Sequence, residues 1–188
     1  MTHFTNYSDK ELIVLITQKG EIDAFGTLYD RYIKVIFNKV MLTFGHRQDS
    51  EDITHDIFLK IFLRLKTYRG NAAFSSWVYS ITNHHIIDVI RSAKNKSRYD
   101  HETDMASLTE EPADEQMLMI DSSKLMQIME QLDEEDRMIL ILKYKDQMSM
   151  KGIMNVFNIK ESTAKMRVSR AKKKAYQLYK EQYKNIEV

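Results

Sequence analysis

Apolar residues in this chain recur at steps of three and four, and strict alternation with polar residues never lasts long enough to mark a strand. Ser8-Asp9-Lys10-Glu11 has the form of a capping box, in which the Ser oxygen takes an orphan backbone N–H and the Glu reaches back. Leu12, Ile13, Leu15 and Ile16 follow it as a short helix that stops near Gly20. A second helix places Phe25, Leu28, Tyr29, Tyr32, Ile33, Ile36, Phe37 and Val40 on one broad apolar face and ends at Gly45. Asp49 is expected to cap a third helix, with Glu51 and Asp52 in the first turn, where the helix dipole is positive. The apolar side of this helix runs through Ile53, Ile57, Phe58, Ile61, Phe62 and Leu65, and its expected end is Gly70. A fourth helix begins around Ala73 and continues to about Ala93, with Phe74, Trp77, Val78, Ile81 and then Ile87 or Ile90 as its stripe. Four helices with short connections predict one compact bundle over residues 1–97.

The pattern breaks over residues 99–121. Asp100, Glu102, Asp104, Glu110, Glu111, Asp114, Glu115 and Asp121 occur there without Lys or Arg, beside the only proline, Pro112. A like-charged stretch with few large apolar residues predicts an extended, flexible acidic linker, assigned to residues 98–118; a plain solvated spacer is the simpler account. The periodicity resumes near Leu118, and residues 119–188 form the expected second domain. Leu125, Ile128, Met129 and Leu132 define its first helix, and Asp133 caps a second with Met138, Ile139 and Leu142 inward. A short helix over residues 149–157 follows, with Ile153, Val156 and Phe157 on one side. Asn158 suits the left-handed backbone of a tight turn, and Ile159 is placed to plug the gap between helices. The last helix starts near Glu161 or Ser162, with Ala164, Val168, Ala171, Ala175 and Leu178 inward. That seam leaves Lys165, Arg167, Arg170, Lys172, Lys173 and Lys174 elsewhere on the surface.

Composition sharpens this picture. An apolar fraction of 43%, a single Pro and five Gly in 188 residues suit helices better than a turn-rich sheet. The expected class is all-α, as two small helical domains joined by the acidic linker. The absence of cysteine excludes disulfides and thiolate metal sites. No basic-then-apolar signal pattern opens the chain, and even its longest apolar runs, such as residues 138–142, are far too short to cross a bilayer, so the expectation is a soluble cytoplasmic protein without membrane insertion.

The net charge is only +1, but its distribution is uneven. Residues 160–184 hold nine Lys or Arg against Glu161 and Glu181. A short helix, a tight turn and a longer basic helix predict a helix-turn-helix, whose second helix enters the major groove with its N-terminal residues at base edges. Glu161, Ser162, Thr163, Lys165 and Met166 are best placed for bases; Arg167, Arg170, Lys172 and Lys173 suit phosphates, which position without specifying. In the first domain, Tyr68, Phe74, Trp77 and Tyr79 lie near Arg69, Arg91, Lys94 and Lys96, a mixture suited to unstacked single-stranded bases. The spacing of Phe74, Trp77 and Ile81 is equally that of a core stripe, and Trp77 is expected to be at least partly core.

Catalysis finds little support. Asp52, His55 and Asp56 share a helix face, but the Asp-x-x-His pair occurs once, and the neighbouring helices lack the inward carboxylates that complete a two-metal bundle. The rings of adjacent His84 and His85 should diverge. No Gly-rich phosphate loop or Ser-His-Asp spacing occurs, so no enzyme, metal or cofactor is expected.

Three stretches in order resemble the extracytoplasmic-function (ECF) group of bacterial RNA polymerase sigma factors. Residues 49–59, Asp49-Ser50-Glu51-Asp52-Ile53-Thr54-His55-Asp56-Ile57-Phe58-Leu59, are similar to the core-binding helix of that family. Tyr68-Arg69-Gly70, Phe74-x-x-Trp77, Ile87-Asp88 and Arg91 resemble its promoter-melting segment. Ser149, Ile153, Ile159, Thr163-x-Lys165-x-Arg167 and Ser169-Arg170-Ala171 resemble its helix-turn-helix. The resemblance covers residues 23–98 and 125–179, and it implies a four-helix region 2 domain and a region 4 helix-turn-helix domain.

It also implies partners and roles. Glu51, Asp52, His55, Asp56 and Leu59 would dock on the clamp helices of the polymerase's largest subunit, and the second domain would meet the flap of the second-largest. Tyr68, Asn71, Ala73, Phe74, Trp77, His84 and Arg91 would melt the downstream promoter element and hold a flipped base, where a shaped pocket recovers the unstacking energy. Glu161, Ser162, Thr163, Lys165, Met166, Arg167, Arg170 and Lys173 would read the upstream element as duplex. The linker would thread polymerase channels, and an anti-sigma protein is a candidate partner. His84 and Ser80 stand where the family usually has Asn and Arg, so the downstream base preference is left open. Gly152-Ile153-Met154 stands where the family often has Glu-Ile-Ala, and Asp133 replaces a frequent Pro. The alternative is a helix-turn-helix regulator that binds duplex DNA without engaging polymerase; a metal-dependent helical enzyme is a third.

Overall fold

The computed structural model describes residues 4–96 and 122–184. The expected acidic linker over residues 98–118, with Arg98 and Leu118, lies outside them. Among the described residues the secondary structure is helical, without strands, and no helix is long and apolar enough to cross a membrane. The chain divides into two compact units, Met1–Asp88 and Val89–Val188.

In the first unit α1 spans Asp9–Lys19, α2 Ala24–Phe44, α3 Arg47–Arg64, and α4 starts at Phe74 and runs to Lys96, past the division. The capping box closes as the sequence predicts. Ser8 Oγ accepts the Glu11 N–H at 3.3 Å and Glu11 Oε2 accepts the Ser8 N–H at 2.7 Å. Gly20, at φ 76°, ends α1 in the left-handed conformation that a Cβ would resist. Asp9 then fastens α1 to α2, accepting from Arg31 at 2.6 Å and from the Tyr32 hydroxyl at 2.5 Å.

Two expected helix limits shift. α3 begins at Arg47, not at Asp49, because His46 is already extended at φ −107° and its carbonyl accepts the Ser50 N–H at 3.0 Å. Asp49 therefore stands in the first turn, where it meets the dipole but caps nothing. α3 also stops before Gly70: it tightens into a 3₁₀ turn over Leu65–Thr67. Gly70, at φ 73°, belongs to the loop, which Tyr68 fastens by donating its hydroxyl to the Ala72 carbonyl at 2.6 Å.

Leu12, Leu28, Ile36, Ile57, Leu65 and Ile87 are buried to within 2% exposure and define the core of this unit. Small hydroxyl residues lie among them. Thr43, Ser50, Thr54 and Thr82 are buried, and each donates to the carbonyl four residues back, at 2.9, 2.6, 2.6 and 3.0 Å. That bond satisfies a polar group the sequence alone would place in doubt inside a core.

In the second unit α5 spans Ser122–Gln131, and α6 spans Glu134–Leu140 and widens into a π turn over Ile141–Lys145. α7 spans Met150–Phe157; α8 spans Glu161–Tyr179 and continues as a π turn over Lys180–Lys184. Asp133 caps α6 by accepting the Asp136 N–H at 2.9 Å, and Ser149 caps α7 by accepting the Gly152 N–H at 3.2 Å. Asn158, at φ 47° and ψ 54°, makes the left-handed turn between α7 and α8. Ala164, Val168, Ala171 and Ala175 form the buried seam of α8, and Leu178 is half-buried.

The seam takes in one residue that periodicity leaves on the surface. Lys172 is only 7% exposed. It stands four residues after Val168 and three before Ala175, so its stem falls on the same face as the seam. Arg137 of α6 is likewise buried, and donates to the carbonyls of Glu130 and Leu132 at 3.0 and 2.8 Å.

Candidate functional site

α3 turns one face inward and another outward. Thr54, Ile57, Phe58 and Ile61 are buried, while Glu51, Asp52, His55, Asp56 and Leu59 are all exposed. The spacing explains this sorting, since residues 52, 55, 56 and 59 fall within one stripe of the helix surface. Leu59 and, one turn on, Leu63 are 56% and 70% exposed. Leu63 joins the outward face although the sequence motifs do not include it; its position four residues after Leu59 is the signal. Glu51 accepts from Arg47 at 2.8 Å, an exposed pair of little energetic weight. Two exposed leucines beside a patch of carboxylates form a surface that can bury apolar area against a partner while meeting its cations.

At the far end of α3 the loop and the start of α4 gather aromatics. Phe74 and Trp77 stack at 5.5 Å, Tyr68 meets them at 5.3 and 5.6 Å, and Tyr32 of α2 meets Phe74 edge-on at 5.7 Å. Phe74 is 5% exposed and Trp77 half-buried. Phe74 is thus a core anchor under the loop, and Tyr68 and Trp77 are the rings with open area. Asn71, Ala73, His84 and Arg91 are exposed.

The neighbours His84 and His85 part company on α4. His84 is exposed, and its Nδ1 lies 2.7 Å from the Ser80 carbonyl; a carbonyl only accepts, so Nδ1 carries a proton, which in the neutral ring leaves Nε2 as the acceptor. His85 is buried, with Nδ1 2.6 Å from Lys60 Nζ of α3. Burial first, and the Lys60 charge second, lower the His85 pKa against the opposing pull of Asp56 and Asp88. No sequence motif announces the Lys60–His85 link between α3 and α4. Its only signal is that His85 falls four residues after Ile81, on the core stripe.

On α8, Ser162, Glu161, Lys165, Met166, Arg170 and Lys180 are exposed, and Thr163, Arg167 and Lys173 half-buried. Lys165 pairs with Glu161 at 2.7 Å, and that bond holds the Glu161 carboxyl below its usual range. Arg167 donates to Glu135 of α6. Lys174 lies 3.1 Å from Asp133 and 3.2 Å from Asp136. Burial and the charge of Asp133 push the Asp136 pKa up. Burial opposes the Asp133 charge too, but the Asp136 N–H and Lys174 hold its pKa down. Arg167 and Lys174 therefore also fasten α8 to α6, in addition to any bond they make outside. Beside α8 runs an open groove of about 410 Å³, lined among others by Tyr144, Met150, Met166 and Ser169.

Among the described residues no three His, Cys, Asp or Glu side chains converge as metal ligands. Asp52, His55 and Asp56 remain a surface row.

The chain matches two family descriptions, Sigma-70 region 2 over residues 28–96 and Sigma-70, region 4 over residues 122–174. The two matched segments together take up well over half of it. It is similar to the ECF RNA polymerase sigma factor SigW of Bacillus subtilis (strain 168), 27% identical over 165 residues that cover 82% of this chain and 88% of that protein. It is also similar to the ECF RNA polymerase sigma-E factor of Escherichia coli (strain K12), 26% identical over 180 residues, 86% of this chain and 90% of that one. Its fold resembles that of the sigma factor RpoE solved in complex with the anti-sigma factor NepR from Bartonella quintana, with TM-score 0.56 at 17% identity over 84% of this chain and 98% of that one. It also resembles CnrH solved in complex with the cytosolic domain of CnrY, with TM-score 0.52 at 22% identity over 93% and 98%. The acid-and-leucine face of α3, the aromatic loop and the basic helix-turn-helix are thus carried by segments that match sigma-70 regions 2 and 4 in order. The chain belongs to the extracytoplasmic-function group of RNA polymerase sigma factors, subunits that are not themselves enzymes but bind core RNA polymerase and direct it to promoters.

Proposed function

We propose a division of this work between three parts of the chain: residues 1–97 grip polymerase and open the promoter, residues 98–118 link, and residues 119–188 read the upstream element. The observation that carries the proposal is the sorting of α3, whose carboxylates, Leu59 and Leu63 stay exposed while Ile57, Phe58 and Ile61 fill the core. Glu51, Asp52, His55, Asp56 and Leu59 dock on the clamp helices of the polymerase's largest subunit. Asp52 and Asp56 supply the charge, and Leu59, extended by Leu63, supplies the apolar centre that a stable interface needs. The second domain meets the flap of the second-largest subunit, and the protein works in the cytoplasm, where polymerase and promoters are.

Tyr68, Asn71, Ala73, Trp77, His84 and Arg91 handle the melted downstream element, on the floor that Phe74 makes. In its neutral form His84, with Nδ1 bonded to the Ser80 carbonyl, offers a flipped base the Nε2 lone pair as an acceptor. On α8, Glu161, Ser162, Thr163, Lys165 and Met166 face base edges of the upstream element, and Arg167, Arg170 and Lys173 face phosphates. One solved relative was captured with the anti-sigma factor NepR and the other with the cytosolic domain of CnrY, which supports an anti-sigma protein as a further partner here. A pull-down from the native cell identifies it.

The deciding experiment adds the purified protein to core polymerase and measures promoter-dependent transcripts from genomic fragments. Transcripts and co-elution with core are expected. Duplex binding with neither would point instead to a regulator that works without polymerase.

A further inference from the structure

Resting on the upstream-reading role proposed for α8, we infer that Met166 reads the 5-methyl group of a thymine in the upstream promoter element. Met166 is 53% exposed on a helix whose other exposed positions are polar or charged, while Leu178, Tyr176 and Tyr179 are half-buried. The fold gives it no core to fill, because the seam of Ala164, Val168, Ala171 and Ala175 lies on another face.

Its position fixes what it can meet. Met166 stands in the second turn after the Asn158 turn, four residues after Ser162 and four before Arg170, both exposed. That row is the part of a second helix that lies along the floor of a major groove. Lys165 and Glu161 occupy one flank and engage each other at 2.7 Å. The other groups on this row are hydroxyls and cations, which suit hydrogen-bonding edges and phosphates. A thioether offers little to such an edge. Of the groups the four base pairs show in the major groove, the thymine methyl is the one alkyl group, and apolar side chains mark it. Met166 also lines the open groove beside α8 with Tyr144 and Met150, and over half of it stays exposed.

The test uses the full chain assembled with core polymerase. A library of promoter duplexes with a randomised upstream element is selected by the wild-type holoenzyme. Each thymine of the enriched element is then replaced, one at a time, by deoxyuridine, which removes the methyl alone. At one position the replacement should weaken wild-type binding about fourfold, the burial of one methyl group. Met166→Ala should bind that duplex equally well with either base, and Met166→Leu should keep most of the preference. An enriched element without thymine, or a Met166→Ala holoenzyme with the same deoxyuridine losses as wild type, would overturn the inference. Failure of the wild-type holoenzyme to enrich any upstream sequence would instead overturn the reading role of α8 on which the inference rests.

Discussion

α3 and α8 both carry a charged face, but they keep their charge differently. The carboxylates of α3 at positions 51, 52 and 56 are exposed, and the core beneath them is built from Ile57, Phe58 and Ile61 without their help. α8 divides its cations. Lys172 is buried, Arg167 and Lys174 bind acids of α6, and Lys165, Arg170 and Lys180 remain exposed. The first face can be altered at little cost to folding. On the second, several residues serve the fold and the ligand together, so impaired function there does not by itself identify a residue that touches DNA.

The largest expected effect separates the two. Asp52→Lys combined with Asp56→Lys should lower core polymerase affinity on the order of a hundredfold or more, since reversed charges meet their former partners. Both positions are exposed, so unfolding free energy should change by no more than about 0.5 kcal/mol. Co-elution with core and a denaturant melt measure the two quantities. Unimpaired co-elution would remove α3 from the interface.

A smaller effect lies on the fold side. Asp133→Ala removes the α6 cap and the 3.1 Å ion pair with Lys174, and should cost about 1–2 kcal/mol in a urea melt. Duplex affinity of what remains folded should be little changed. A large drop in affinity at unchanged stability would mean that the acids of α6 set the charge of α8 rather than its position.

Arg167→Ala and Lys173→Ala sharpen the contrast within α8. Both should weaken duplex binding and lower the slope of log affinity against log salt by about one unit, the effect of leaving one phosphate unneutralised. Arg167→Ala should also lower the melting temperature, because it removes the ion pair that ties α8 to Glu135 of α6. An unchanged salt slope for either residue would take it off the phosphate.

The smallest effect is a pH dependence. Burial lowers the His85 pKa, so the unfolded chain takes up the proton more readily than the native one. Stability should therefore fall as pH drops below the ordinary value of 6.5 toward the lowered native value, and that component should level off below it. His85→Gln should flatten this part of a stability-against-pH curve.

Much of the architecture was legible because its signals are local. The Ser8 box, the Asp133 cap and the Asn158 turn each depend on bonds within about one helical turn, so residue type and spacing suffice. Asp49 misled for the same reason: an acid favours any position in a first turn, and the backbone at His46 had already chosen the start. Gly70 misled because a left-handed glycine serves a loop as well as a helix end.

Long or polar side chains at the margin of an apolar stripe were not legible. Lys172 and His85 keep helical spacing with Val168 and Ile81, but spacing cannot say whether such a residue bends outward or is accepted inside. That depends on what the neighbouring helix offers. Lys60 meets His85, and Glu135 and Asp133 meet Arg167 and Lys174, each pair brought together from distant parts of the sequence.

By itself, then, the sequence determined the helices, the Ser8 and Asp133 caps, the exposed acids of α3 and the helix-turn-helix, since these follow from periodicity and from bonds between near neighbours. Only the tertiary structure decided which charges are used up inside the fold and which face outward, because burial and ion pairing depend on residues that meet through packing.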